Sequence, residues 1–331
     1  MKAVLVERPG AAVVATVEDP KISRNEVLVR VLGCGVCGTD HHIVNEGLST
    51  AVYPLIPGHE GWGQVVETAD SASELRVGQL VAIDPSLHCG VCRRCRRGQG
   101  NLCERWGSIG GTQPGEWAEL VAVPQRNGYA LPEDYPTEVA VLIEPVACLL
   151  RGLRLLGPQL DTSGLVYGAG TMGVLWVLAL RLAGVGVLGV VELDKRRREL
   201  CERTFDVRCL TSEEAASIEA DYVIDATGAA SAMEAAVWHC RPGGTVMFFG
   251  VAGEEIRVPV SPFRLYQREI RILSSMAILH TYPDAVDFVA KHAELLQPMV
   301  TDVVPLAKFA EAIHAGKDRA TLKMAIDPSL R

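Results

Sequence analysis

Nothing in this chain of 331 residues constrains its fold more than the run Gly168-Ala-Gly170-Thr-Met172-Gly173, because of what stands on either side of it. Leu165–Tyr167 reads as a strand and Thr171–Ala183 as a helix, so the glycines form a strand-to-helix turn. The first glycine permits the tight turn, the second lets the backbone approach a pyrophosphate, and the third allows close helix–strand packing. The alternation then continues. Val185–Val191 is expected as a strand and Lys195–Phe205 as a charged helix. Tyr222–Asp225 is a third strand, Ser231–Cys240 a helix and Thr245–Phe249 a fourth strand. Strands and helices in strict alternation predict right-handed crossovers and a doubly wound parallel sheet, an α/β architecture of Rossmann type.

Such a turn places free N–H groups at the helix N-terminus, where they favour a phosphate. Glu192 follows the next strand at the position where a carboxylate accepts from ribose hydroxyls and repels a 2′-phosphate. That favours NAD over NADP. Lys195, Arg196, Arg197 and Arg198 pull the other way, although they also read as a solvated helix face, with one arginine, Arg197, along the adenine. Thr227-Gly228 and Gly250-Val251 follow the third and fourth strands, the edge where open parallel sheets bind ligands. Gly168, Gly170, Met172, Gly173, Glu192, Arg197, Thr227 and Gly250 are therefore the candidate dinucleotide contacts.

The first ~150 residues have a different texture. Residues 2–6, 27–32, 61–68, 79–84 and 119–123 are short valine-rich or alternating runs, expected as strands. After the alternating region comes a helix around Pro283–Leu296, a strand at Val300–Val304, a helix at Lys308–Ala315 and a strand at Leu322–Ile326. The expected organisation is a β-rich domain over 1–146, the dinucleotide domain over 147–280, and a return to the first domain over 281–331.

Within the β-rich part, residues 85–111 hold Cys89, Cys92, Cys95 and Cys103 and little apolar material. Four thiolates so spaced can close a tetrahedral structural zinc site, which would order the loop; the other readings are a reduced cysteine-rich loop or two disulfides. A second constellation is more dispersed: Cys37-Gly-Thr39-Asp40-His41-His42, Gly58-His59-Glu60-Gly61 and Glu144-Pro145. Cysteine, histidine and carboxylate together make a plausible catalytic zinc set with one open position. Singly, His59 also reads as a satisfied polar residue, Cys37 as a small buried hydrophobe and Glu144 as a helix-start carboxylate.

With these segments in this order over nearly its whole length, the chain resembles the zinc-dependent medium-chain dehydrogenases, the alcohol, sorbitol and threonine dehydrogenase superfamily. The resemblance implies a GroES-like β-rich catalytic domain beside the Rossmann domain. It implies two zinc ions per chain. Cys37, His59 and Glu144 would ligate the catalytic one, with Glu60 able to ligate or to exchange with water. Cys89, Cys92, Cys95 and Cys103 would ligate the structural one. It implies hydride transfer between an alcohol or carbonyl and NAD, with Thr39 and His42 passing the alcohol proton to solvent and Asp40 orienting the metal-site histidine. Glu144-Pro145 resembles the polyol and sugar branch. That points to a secondary alcohol, polyol or sugar, with primary alcohols and threonine as alternatives. Ile43, Tyr53, Trp106, Ser275 and His280 fall in the segments that line the family's pockets. The resemblance also implies a homodimer or homotetramer, with Thr245–Phe249 and Glu269–Met276 as candidate interface segments.

Composition narrows the field. The formal charge of −8 opposes a nucleic-acid partner. The richest apolar stretch, Gly173 to Gly186, contains Arg181 and is too short to span a bilayer. The N-terminal residues lack the apolar core of a signal peptide. A cytoplasmic protein with a small-molecule substrate, and neither nucleic-acid nor membrane partner, is the expectation. A non-catalytic nucleotide-binding sensor on the same scaffold is the alternative of another class.

Overall fold

Alternating apolar residues make Glu26–Gly35 the hub of the β-rich part: Val27, Val29 and Val31 are buried while Arg30 is exposed. In the computed structural model, which describes residues 1–69, 73–315 and 321–330, this strand pairs antiparallel with Gly61–Thr68, Leu120–Pro124 and Lys323–Asp327. The resulting seven-stranded sheet continues through Leu80–Ile83 to Gly128–Ala130 on one side and to Val300–Pro305 on the other. Its core is dominated by valine and isoleucine, with the fully buried Trp117 among them. Lys2–Arg8 and Ala11–Thr16 form a separate antiparallel pair. The second of these escapes the sequence pattern because Val13 and Val14 face solvent and break the alternation.

The chain divides into two compact units, residues 1–147 with 277–331, and residues 148–276. The second unit holds a six-stranded sheet in the order Cys209–Leu210, Gly186–Val191, Ser163–Tyr167, Ala220–Asp225, Cys240–Phe248 and Arg271–Ser274. Every neighbouring pair in it is parallel. The first strand in sequence lies mid-sheet and the order reverses beside it, so the doubly wound fold has its switch point between Ser163–Tyr167 and Ala220–Asp225. Ser163–Tyr167 is buried along its length, as expected of a strand covered on both faces.

Several boundaries differ from the sequence expectation. The fourth strand begins at Cys240, because a bulge at the Pro242-Gly243-Gly244 turn interrupts its register without ending the ladder. The expected helix 283–296 is two helices, Tyr282–Lys291 and Ala293–Leu296, separated at His292. Of the two segments expected at a subunit interface, Arg271–Ser274 is an edge strand, whereas Cys240–Phe248 is interior to the sheet. Among the described residues, no helix is long and apolar enough to cross a membrane.

Candidate metal and dinucleotide sites

The hub strand's register builds the first site. Cys34 pairs with Gly61, and the Gly35 amide donates to the Glu60 carbonyl at 3.1 Å, so the chain emerging toward Cys37 lies beside His59 and Glu60. On the other edge Gly35 pairs with Ala325, and the Val36 amide donates to the Met324 carbonyl at 2.9 Å. Lys323 therefore arrives at the same place from far along the chain.

One donor atom each from Cys37, His59 and Glu60 lies within 4.8 Å of the other two. Thiolate, imidazole and carboxylate in one cluster fit zinc, and three ligands would leave a position open. Asp40, with no exposed surface, braces the set. It accepts from the Cys37 amide at 2.9 Å and from the Gly58 amide at 3.2 Å, and its Oδ1 stands 3.3 Å from His59 Nδ1. A carboxylate on Nδ1 leaves Nε2 for a metal. Burial works against a charge on His59, but Asp40 and Cys37 outweigh it and hold the imidazole's pKa well above its ordinary value.

Glu60 is also one half of a buried ion pair. Lys323 Nζ donates to its two carboxylate oxygens at 2.7 and 2.6 Å and to the Val36 carbonyl at 3.2 Å. The two side chains are 3% and 1% exposed, so neither charge is solvated. Burial lowers the pKa of Lys323, yet Glu60's carboxylate, with the charges of Cys37 and Glu144, more than reverses this and the net shift is upward. Glu144 is the second residue of the helix Ile143–Leu156 and stands outside the Cys37–His59–Glu60 cluster. Its charge nonetheless acts on Glu116, Tyr282 and Lys323.

Sequence patterns pointed to neither Lys323 nor Glu116. Glu116 is fully buried, and burial first of all pushes its carboxyl up to about 8, with His59 pulling the other way. The Cys34 thiol donates to it at 3.4 Å. An Ala or larger residue at Gly61 would collide with its carboxylate.

Thr39 Oγ1 lies 3.8 Å from Cys37 Sγ. His42 stands at the solvent edge with Nδ1 2.7 Å from a Glu46 carboxylate oxygen. Of the expected pocket residues, Ile43 belongs to the core, Tyr53 donates its hydroxyl to the Ile43 carbonyl at 2.7 Å, and His280 Nε2 lies 3.2 Å from the Gly98 carbonyl.

The four-cysteine loop is pinned by a short pairing of Ser86–Leu87 with Gly107–Ser108. All four sulfurs cluster, with separations of 3.9 Å for Cys89–Cys95, 3.5 Å for Cys92–Cys95 and 4.0 Å for Cys92–Cys103. Zn–S bonds of about 2.3 Å in a tetrahedron put sulfurs about 3.8 Å apart, so the loop fits zinc. Backbone amides of Cys92, Cys95, Cys89 and Arg105 point at the sulfurs at 3.3 to 3.5 Å. The Val91 and Cys92 amides lower the Cys89 pKa, whereas desolvation and the adjacent thiols raise that of Cys95. Four thiolates so close need a cation.

In the second unit the glycine loop has the expected shape. Gly168 adopts φ +94°, and Gly170 precedes the helix Thr171–Leu182. A Cβ at Gly173 would strike the Gly168 carbonyl, which explains the third glycine. Glu192 is buried and ties the loop to the next turn, accepting from the Ala169 amide at 3.0 Å and the Asp194 amide at 2.9 Å. Arg198 donates at 2.8 Å to the carbonyls of both Glu192 and Leu193, so it braces this turn. Arg197 lies beside the loop, about 4.0 Å from where a Cβ on Gly170 would stand. Asp194 caps the helix Lys195–Phe205 through the Arg197 amide at 3.1 Å. Asp225 gathers Thr227 and Gly228, and Gly250 packs directly on that turn.

The chain is similar to known proteins along nearly its whole length. Residues 23–133 match the alcohol dehydrogenase GroES-like domain and residues 171–291 the zinc-binding dehydrogenase domain. D-arabinitol dehydrogenase 1 of Uromyces fabae is 32% identical over 345 residues, spanning 99% of this chain and 97% of the relative. D-altritol 5-dehydrogenase of Agrobacterium fabrum is 30% identical over 332 residues, 98% of each chain. A solved structure from Sinorhizobium meliloti 1021, described as a zinc-binding dehydrogenase bound to NADP, superposes with a TM-score of 0.90 at 28% identity over 99% of both chains.

Proposed function

Because the chain belongs to the zinc-dependent medium-chain dehydrogenase family, we propose that it oxidises a secondary alcohol of a polyol or sugar with NAD, and reduces the corresponding carbonyl in reverse. The observation that carries this reading is the cluster of Cys37, His59 and Glu60 braced by Asp40, on a chain whose other unit has the dinucleotide turn. Cys37, His59 and one of the carboxylates Glu60 and Glu144 would hold a zinc ion that supplies Lewis acidity toward an alcohol oxygen. Thr39, beside Cys37, receives the alcohol proton on its hydroxyl. His42 passes that proton to solvent. In carbonyl reduction both residues run the transfer backward.

Glu192 would accept from the adenosine ribose hydroxyls while keeping its two backbone donors, since an ionised carboxylate has about four acceptor sites. The same charge disfavours the 2′-phosphate of NADP, and Arg197 would lie along the adenine. Cys89, Cys92, Cys95 and Cys103 would hold a second, structural zinc ion. Among the described residues the edge strand Arg271–Ser274 has no strand on its outer side, which supports a homo-oligomer that continues the sheet across subunits. The two curated relatives described above are named as dehydrogenases of sugar alcohols, which supports the polyol class.

The test is NAD reduction followed by absorbance over polyols, aldoses, secondary and primary alcohols and threonine. Turnover confined to polyols or secondary alcohols is the expected result. Silence across the panel with cofactor bound would overturn the enzyme reading and leave the nucleotide-binding sensor.

A further inference from the structure

A second group of metal donors lies outside the Cys37–His59–Glu60 cluster. One donor atom each from His41, His42 and Glu46 falls within 4.8 Å of the other two. The backbone explains how. Residues Gly38–His41 form one α-turn, and the chain then widens into a π-turn over His42–Glu46, closed by the Gly47 amide donating to the His42 carbonyl at 2.8 Å. In a regular α-helix, successive side chains diverge by about 100°, so one carboxylate four residues on would face only one of two adjacent histidines. Here Glu46 spans both: its oxygens lie 3.6 Å from His41 Nδ1 and 2.7 Å from His42 Nδ1. The two rings stand edge to face at 89°, with centroids 6.0 Å apart. Single-turn π-bulges of this kind occur often at functional sites.

We propose that His41, His42 and Glu46 form an additional site for a divalent transition-metal ion of the zinc class, separate from the two zinc positions already described. Two imidazoles and a carboxylate are the donor set such ions select. Metal–ligand bonds of about 2.0–2.2 Å place donors a little over 3 Å apart, between the two distances found to Glu46. His42 and Glu46 are 51% and 55% exposed and His41 is 19% exposed, so an ion enters from solvent without unfolding anything. The site shares no donor with Cys37, His59 or Glu60.

Occupancy has a consequence that rests on the proposed dehydrogenase mechanism. A metal on Nδ1 leaves the His42 ring with its proton on Nε2 and no lone pair to accept another. Free metal would then block the relay, and the site would act as an inhibitory one.

The test is zinc counted by elemental analysis after equilibrium dialysis of the zinc-loaded protein, for wild type, His41→Gln and Glu46→Gln. The expected result is one more equivalent in wild type than in either variant at the same free zinc. Equal zinc in all three proteins overturns the proposal. Added zinc should also slow NAD reduction by wild type but not by His41→Gln; equal inhibition of both would overturn the inhibitory role. A chain with the extra equivalent but no dehydrogenase activity would refute the proposed function and leave the metal site standing.

Discussion

The sharpest stability test is the pair Glu60–Lys323, because both charges are almost fully removed from water. Replacing Lys323 by Met keeps the apolar stem and deletes the ammonium, leaving Glu60 buried and uncompensated. Breaking a buried pair from one side typically costs about 3–5 kcal/mol. The unit that contains the pair spans 1–147 and 277–331, or 147 + 55 = 202 residues. For a unit of that size each kcal/mol lowers Tm by about 2–4 °C, so a loss of roughly 6–20 °C is expected. Calorimetry on zinc-free protein reads it. The double variant Glu60→Gln with Lys323→Met carries no charge there and should recover more than half of the loss, since removing both charges is often close to neutral. Zinc-loaded Lys323→Met should lose less, because the freed carboxylate can turn to the metal. A single-variant loss below about 1 kcal/mol, or a double variant no better than the single, would refute the reasoning.

Three further outcomes are expected. Glu192→Gln keeps an oxygen for the Ala169 amide but removes the charge, so the preference for NAD over NADP should fall about tenfold, or about 1.4 kcal/mol, in paired kcat/KM measurements; an unchanged ratio would move the discrimination to Arg197. Cys92→Ser should cost one zinc equivalent and lower the melting temperature of its unit, and wild-type zinc content would remove the structural-zinc assignment. Burial raises the Asp84 carboxyl from 3.8 to about 6, with the Ser86 amide and hydroxyl opposing. The folded state therefore holds the proton through that window while the unfolded state has released it. Stability should fall as pH rises from about 4 to 6, by about 3 kcal/mol at most. Asp84→Asn should flatten that slope in denaturant titrations across pH, and an unaltered slope would show that other groups carry it.

The parts of this molecule that sequence reveals are those whose partners are near in the chain. The four sulfurs of Cys89 to Cys103 span 15 residues, and their spacing alone implies the cluster that the loop adopts. The glycine turn is similar: Gly168 and Gly173 meet within one strand-to-helix passage, and the helix Lys195–Phe205 starts where Asp194 can cap it. Residue type made Cys37 and His59 a plausible set and the resemblance to a family implied it, because no local rule joins segments so far apart; Glu144, implied with them, stands outside the cluster of Cys37, His59 and Glu60. Lys323 was not legible at all. It lies 263 residues from Glu60, and a lone lysine at the start of a strand looks like any solvated edge residue. Only the pairing of Gly35 with Ala325 on one side and Cys34 with Gly61 on the other turns it inward.

Glu116 escaped for a related reason. A glutamate between Gly115 and Trp117 carries no signal of burial, and burial becomes evident only when Gly61 is seen to leave room for its carboxylate. Burial pushes the pKa of that carboxyl up to about 8, with the charge of His59 pulling it back. Two carboxyls thus sit near one histidine in different surroundings. Glu60 has its charge balanced by Lys323, whereas the burial of Glu116 outweighs the pull of His59. The geometry thus gives Glu60 to its pairing with Lys323 and to the Cys37–His59 cluster, and leaves Glu116 to packing and to its contact with the Cys34 thiol.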